Sequence, residues 1–261
     1  MCPESLQPNN IAILIPAHNE ALRIRSVVES ALQQSPHVIV VNDGSTDATC
    51  DQLKTLPITL LHHPHRRGKG ATLRTGFAHA LAQGVLAIIT IDGDGQHDPT
   101  DCSKLLATAN RYPHRLVIGA RLYSRENQPR VRRLGNALGD WGISWACGYQ
   151  VIDSQSGLRL YPSSVLVGAL ADPTATDAFV YEAQLLIYAA RVCACPVVAV
   201  PIASRYARSR QDASFRKSHF RLVRDLVKII LFVAMHIIHQ GHIIREYRNT
   251  RAHPVTVDQT F

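Results

Sequence analysis

The chain has 261 residues, 46% of them apolar and 18% charged, with a formal charge of +8 and a pI of about 9.4. That length supports one large domain with its own core, or a domain plus an appendage, and the composition excludes a disordered or fibrous chain. The basic balance suits a polyanionic partner (nucleic acid, anionic lipid or a phosphorylated substrate), beside the simpler reading of a solvated basic surface.

Residues 11–15 form an all-apolar run closed by Pro16, which predicts a buried strand, and 21–33 follow with helical patterning. A second strand is predicted at 38–41, ended by Asn42-Asp43-Gly44, with Thr46-Asp47 opening a helix over 47–53. A third strand at 58–61 leads through Arg66-Arg67-Gly68-Lys69-Gly70 into a helix over 71–83, and a fourth strand spans 86–91. Later strands are predicted at 116–119, 158–161 and 197–202, and helices at 130–148, broken near Gly142, and 179–191. Strands alternating with helices predict an α/β domain with a parallel sheet covered on both faces. Domain boundaries are expected at 1–215 for the catalytic domain, 216–248 for a basic amphipathic helix and 249–261 for a flexible tail.

The six cysteines, Cys2, Cys50, Cys102, Cys147, Cys193 and Cys195, form no paired CxxC hooks, which argues against zinc and suits a reducing compartment. Residues 1–10 lack a basic segment followed by an apolar core, so no signal peptide is expected. The longest apolar stretch, 226–238, contains Lys228 and His236 and falls short of the roughly 20 apolar residues that span a bilayer. Arg216, Lys217, Arg221, Arg224 and Lys228 precede or enter it, so this segment reads either as a helix on an anionic membrane surface or as one packed on the domain.

In parallel sheets ligands bind beyond the carboxyl ends of the strands. Three polar motifs fall there: Pro16-Ala17-His18-Asn19-Glu20, Asn42-Asp43-Gly44-Ser45, and Asp92-Gly93-Asp94-Gly95-Gln96-His97-Asp98-Pro99. The last is the most informative. Two carboxylates one residue apart, at the end of a buried strand, suit a hard cation that also takes substrate phosphate oxygens. Asp43 can accept hydrogen bonds from a nucleobase or ribose, or belong to a turn and helix cap. Glu20 can bind a ribose hydroxyl or cap the first helix. Lys69, in a glycine-rich loop before a helix, reads as a phosphate contact or as part of a solvated basic loop.

As an ordered set these motifs resemble the inverting family 2 glycosyltransferases, and within them the dolichol- or polyprenyl-phosphate hexosyltransferases. Gly68-Lys69-Gly70 with Gly76, Gly119-Ala120-Arg121, Asp153-Ser154-Gln155-Ser156-Gly157-Leu158-Arg159 and Ser218-His219-Phe220-Arg221 extend the match over roughly residues 9–225. The resemblance implies a GT-A fold, Rossmann-like, with a mostly parallel sheet flanked by helices. It implies a nucleotide-sugar donor (a UDP- or GDP-hexose), Mg²⁺ or Mn²⁺, and a lipid acceptor.

By the same resemblance, Pro16, His18, Glu20, Val41 and Asp43 hold the nucleoside. Asp92, Asp94 and Gln96 bind the metal and the donor diphosphate, with Gly93 between the two aspartates. Arg121, Arg132, Arg133 and Arg205 match more loosely and hold donor or acceptor phosphate, or form an exposed basic face. Arg205 or Lys69 adds positive charge as a loop closes over the donor. A lipid phosphate attacks without a base, whereas a hydroxyl acceptor needs one. Asp153 is the preferred candidate and Glu182 the second.

Membrane-embedded members of that branch carry long apolar C-terminal helices. The short 226–238 segment predicts a cytoplasmic enzyme, soluble or peripheral at the inner face of the membrane. Two competing functions are a sugar-phosphate nucleotidyltransferase and a non-enzymatic basic protein binding membrane or nucleic acid. The first strand lacks the glycine-rich basic signature of the former, and few aromatics interleave with the basic residues as the latter needs. No nucleic-acid partner is expected.

Overall fold

A computed structural model describes residues 4–122, 130–172, 180–203, 234–235 and 243–261. In chain order the strands are β1 (Ile11–Ala17), β2 (Val38–Asp43), β3 (Thr59–His63), β4 (Ala87–Thr90), β5 (Leu116–Ala120), β6 (Arg159–Pro162), β7 (Val197–Pro201) and β8 (Thr256–Val257). The helices are α1 (Ile24–Leu32), α2 (Lys69–Ala82), α3 (Cys102–Arg111), α4 (Arg130–Cys147), α5 (Ser163–Ala171), α6 (Tyr181–Arg191) and α7 (Ile243–Ala252).

The strands form one eight-stranded sheet in the order β3-β2-β1-β4-β6-β5-β7-β8. Only β6 runs antiparallel, pairing with β4 on one side and β5 on the other. The strands are apolar on both faces because both faces are covered. Ile11, Ile13 and Ile15 of β1 pack with Ile24, Val27 and Val28 of α1 on one side. Ala12 and Leu14 pack with Leu73 and Phe77 of α2 on the other. Each such buried aliphatic side chain contributes about 1.5–3 kcal/mol.

The chain leaves β1 toward β2 and β3, then returns to add β4 on the opposite side of β1. The order therefore reverses between β1 and β4, and such reversals are where these sheets place their ligands. Ile11↔Ala87 through Leu14↔Thr90 are in register, which brings the turn after Ala17 beside the turn after Ile91.

Helices α3 and α5 are not among the expected elements, and three expected segments differ. The segment 47–53 is not an α-helix but turns ending in one 3-10 turn, Asp51–Leu53. There the Asp47 carboxylate accepts from Thr49 N and from Ala21 N, bonds that hold it across to the β1 turn. Helix α4 is continuous from Arg130 to Cys147 with no break at Gly142. A helical glycine costs roughly 1 kcal/mol, and the buried Ile143, Ala146 and Cys147 offset that by packing in the core. Residues 249–261 are not a loose tail. Helix α7 runs through to Ala252, and β8 then extends the sheet beside β7 in the register Val198↔Thr256 and Ala199↔Val257. Asp258 follows, buried, accepting from Thr108 Oγ1 at 2.8 Å and from Arg111 Nη1 at 2.6 Å. Most of the predicted 216–248 helix lies outside the described residues. Among the described residues no helix is long and apolar enough to cross a membrane.

Candidate active site

The site is built from the ends of β1, β2 and β4 and from the first turns of α2 and α6. Pro16 and Val41 are register partners across β1 and β2, so their backbones lie side by side at the site. Beyond them His18 Nδ1 donates to the Asp43 carbonyl at 2.8 Å. Asn19, held in the left-handed region at φ 57°, donates its N–H to Ser45 Oγ at 2.9 Å, and its Oδ1 accepts from Thr46 N at 2.8 Å. Glu20 is buried, with its N–H donating to Thr49 Oγ1 at 2.8 Å and its carbonyl accepting from Ile24 N. Arg23, at the N-terminal cap position of α1, makes no side-chain cap hydrogen bond.

Asp43 carries an internal duty. Its Oδ1 accepts from His63 Nδ1 and from Arg67 N, and its Oδ2 from Gly68 N, each at 2.8 Å. Burial raises its carboxyl pKa, but the His63 hydrogen bond and the two amide bonds pull it below the ordinary value overall. Asp43 thereby folds the β3–α2 loop over its own strand and aims Lys69 inward. Gly68, at φ 103°, makes the turn that a side chain would resist.

Asp92 and Asp94 sit where the fourth strand leaves the sheet. Gly93 lies between them because a Cβ there would come within 3.2 Å of the Pro16 carbonyl and 3.1 Å of Ile24 Cδ1. Asp94 Oδ1 accepts from Gln96 N at 3.0 Å, and the Asp94 carbonyl from Arg23 Nη1 at 2.8 Å. Asp92 packs against Gly157, where a Cβ would stand 2.1 Å from Oδ2. Thr90 Oγ1 donates to the Gly157 carbonyl at 3.0 Å and fixes that approach.

Behind the pair lies a charged chain. Lys69 Nζ is 2.7 Å from Asp92 Oδ1 and 2.9 Å from Glu182 Oε2. Arg159, 1% exposed, lies 4.0 Å from Glu182 and donates to the carbonyls of Ser154, Ser156 and Glu182. Burial and the Asp92 charge raise the Asp94 carboxyl to about 6, while Asp92, despite its burial, is held low chiefly by Lys69. Two crowded carboxylates, one of them made reluctant to ionise by the other, are what a hard cation relieves. The carboxylate oxygens of Asp92 and Asp94 are of the hard type that Mg²⁺ or Mn²⁺ takes. Among the described residues no group of three or more His, Cys, Asp and Glu side chains converges as a closed metal cage.

Asp153, the preferred candidate for a general base, is paired with Arg121. Its Oδ2 accepts from both the N–H and Nε of Arg121 at 2.8 Å, and its Oδ1 accepts from Nη2 at 2.6 Å. With both oxygens engaged by a guanidinium, this carboxylate positions Arg121 at the end of β5. Asp140 of α4 in turn accepts from the N–H groups of Asp153 and Ser154. Arg205 and the 218–221 motif lie outside the described residues, as do the side chains of Arg132 and Arg133.

His63 and Asp140 escaped the sequence reading, and Gly157 and His97 appeared there only within longer motifs. His63 is one of three histidines, with His62 and His65, at a strand end, and Asp140 is a lone acid inside a helical pattern, so neither is singled out locally. Gly157 gains its meaning only from the nearness of Asp92. His97 is 3% exposed, and burial pushes it down to about 4, so it is neutral at pH 7. Its Nδ1 has no hydrogen-bond partner among the described residues.

The model of the family described as Glycosyl transferase family 2 matches residues 12–160, the segment that carries both the β1 motif and the aspartate pair. The chain is 32% identical over 181 residues to the UDP-N-acetylglucosamine–dolichyl-phosphate N-acetylglucosaminyltransferase of Methanococcus voltae, covering 60% of this chain and 70% of that one. It is 29% identical over 213 residues to the polyprenol monophosphomannose synthase of Mycolicibacterium smegmatis, covering 77% and 79%. Among solved structures, it superposes on glucosyl-3-phosphoglycerate synthase from Mycobacterium tuberculosis in complex with Mg²⁺ and UDP. The TM-score is 0.63 at 21% identity, over 89% of this chain and 79% of that one. This last likeness is one of fold.

Proposed function

Because the chain belongs to glycosyl transferase family 2, and is therefore a glycosyltransferase, we propose that it moves a hexose from a nucleotide-diphosphate sugar to a polyprenyl-phosphate-type lipid, with inversion at the anomeric carbon. The observation that carries this reading is the Asp92–Asp94 pair at the β1/β4 reversal, beside the nucleoside-facing ends of β1 and β2. The relatives named for dolichyl- and polyprenyl-phosphate acceptors support the acceptor class. The structural neighbour solved with Mg²⁺ and UDP supports a cation and a uridine nucleotide.

In this reading Pro16, His18, Glu20, Val41 and Asp43 frame the nucleoside. Asp92, Asp94 and Gln96 would hold Mg²⁺ or Mn²⁺, which when bound offsets the negative charge growing on the departing diphosphate. Lys69 keeps Asp92 ionised and oriented. The nucleophile is the acceptor phosphate oxygen, already ionised at neutral pH, so the reaction needs no protein base. The engagement of Asp153 by Arg121 agrees with that economy, and Arg121 is placed to meet an acceptor phosphate. Arg205 remains a candidate for positive charge toward the donor.

The enzyme works at a membrane surface in this reading, on the cytoplasmic face. Leu138 and Trp141 of α4 are 48% and 54% exposed. Trp145 lies on the same helix, edge-on to Trp141 and to Tyr247 of α7. Aromatic and aliphatic side chains in such a row suit the boundary of a bilayer.

The test is transfer from labelled UDP- or GDP-hexose to polyprenyl phosphate by the wild-type chain and by Asp94→Ala. The wild type is expected to release nucleoside diphosphate and form the lipid-linked sugar. The variant should lose transfer by about a hundredfold or more while retaining its melting temperature. Release of pyrophosphate, or wild-type turnover by Asp94→Ala, would refute the reading.

A further inference from the structure

Asp92 is one of the two carboxylates assigned to the cation, yet its Oδ1 already faces an ammonium at 2.7 Å. That ammonium is shared. Lys69 opens α2 and Glu182 stands in the first turn of α6, and Lys69 Nζ reaches Glu182 Oε2 at 2.9 Å. The three side chains are 19%, 29% and 11% exposed for Lys69, Asp92 and Glu182, so water screens them poorly. Glu182 is itself anchored from the far side by Arg159, 4.0 Å from its Oε1 and bonded to its main-chain carbonyl at 3.1 Å. Glu182 therefore stays in place whether or not Asp92 changes partner.

We propose that Lys69 is a resident counterion, which neutralises Asp92 in the free enzyme and is handed to Glu182 when a divalent cation enters with the donor diphosphate. The inference rests on the assignment of Asp92 and Asp94 as cation ligands and adds a role for Lys69 and Glu182 toward that cation. Removing one partner of a buried ion pair leaves an uncompensated charge and is strongly unfavourable. A second carboxylate already within contact distance removes that penalty from the exchange. The free site consequently holds a bare cation weakly, since the ion must displace an ammonium from its own ligand. The negative charge of a diphosphate shifts the balance, so cation and nucleotide enter together.

Isothermal titration of Mn²⁺ into the full chain without nucleotide tests this, using wild type, Lys69→Gln, Glu182→Gln and the double variant. Lys69→Gln is expected to bind bare Mn²⁺ about tenfold more tightly, because the competing ammonium is gone. Glu182→Gln is expected to bind it more weakly, because Lys69 then loses the second carboxylate that receives it. The double variant should match Lys69→Gln, since Glu182 acts through Lys69, whereas independent charges would add.

A structure of the wild-type chain soaked in Mn²⁺ and UDP gives a second readout that needs no variant to fold. Lys69 should lie beyond contact of Asp92 and still on Glu182. Additive effects, a Lys69→Gln variant no tighter than wild type, or Lys69 still on Asp92 with Mn²⁺ bound would overturn the exchange and leave the cation site standing. Absence of Mn²⁺ binding in every form, with UDP or without, overturns both.

Discussion

Asp43 shows how one residue ties fold to site. It is buried and its oxygens accept from His63, Arg67 and Gly68, so its folded pKa lies below the ordinary carboxylate value. The unfolded chain then binds a proton more readily, and the stabilisation it provides is full above about pH 4. It is lost as pH falls through the lower, folded value. Asp43→Asn should cost about 1–3 kcal/mol at pH 7, and chemical denaturation at decreasing pH should show the gap to wild type closing. Gly157→Ala makes a different demand, since its Cβ would meet Asp92 Oδ2 at 2.1 Å. Transfer activity and Mn²⁺ binding in the presence of UDP should both fall at least about tenfold, with far less change in melting temperature. The aspartate pair was legible from the chain because chemistry and strand pattern coincide within fourteen residues. The partners of Asp43 and Asp92 lie 20 or more positions away, and nothing local announces them.

Among the elements, helix α2 bears most directly on the site, because it runs against the central strand whose end helps form it. Gly76 permits that contact, as a Cβ there would stand 2.2 Å from Leu14 Cδ1 and 2.7 Å from Cδ2. Gly76→Ala should destabilise by about 1–3 kcal/mol through overpacking. Leu14→Ala should cost less in that background than in wild type, a coupling that thermal melts of both single variants and the double variant would reveal. The same helix explains why glycine spacing was readable but its cause was not. The sequence marks Gly76 as unusual in a helix, while the side chain it makes room for belongs to β1. Conversely, α4 keeps its glycines without breaking, because burial against α6 outweighs their backbone freedom.

For the whole molecule, the chain terminus closes one edge of the sheet. Asp258 joins β8 to α3 through Thr108 and Arg111, across about 150 positions of sequence. Asp258→Ala should cost about 1–3 kcal/mol by leaving those donors unpaired. That corresponds to a fall of several degrees in melting temperature for a domain of this size. At the other end of the scale, liposome flotation should place the chain on anionic vesicles, and Leu138→Ser with Trp141→Ser should reduce that fraction without lowering the melting temperature. A full return to the soluble fraction by high salt alone would instead assign the attachment to charge.

The order of strands β1 to β7, the helices α1, α2, α4 and α6, the apolar core faces and the strand-end position of Asp92 and Asp94 follow from the sequence alone. Each depends on local periodicity, and strand ends in a parallel sheet converge on one edge whatever the details. The tertiary structure decided the rest: that Asp153 serves Arg121, that Lys69 bridges Asp92 and Glu182, and that residues 256–257 become a strand. Those outcomes depend on which distant group shares a buried volume with which charge. A buried charge takes whatever partner the packing brings within about 3 Å, and no local pattern encodes that distance.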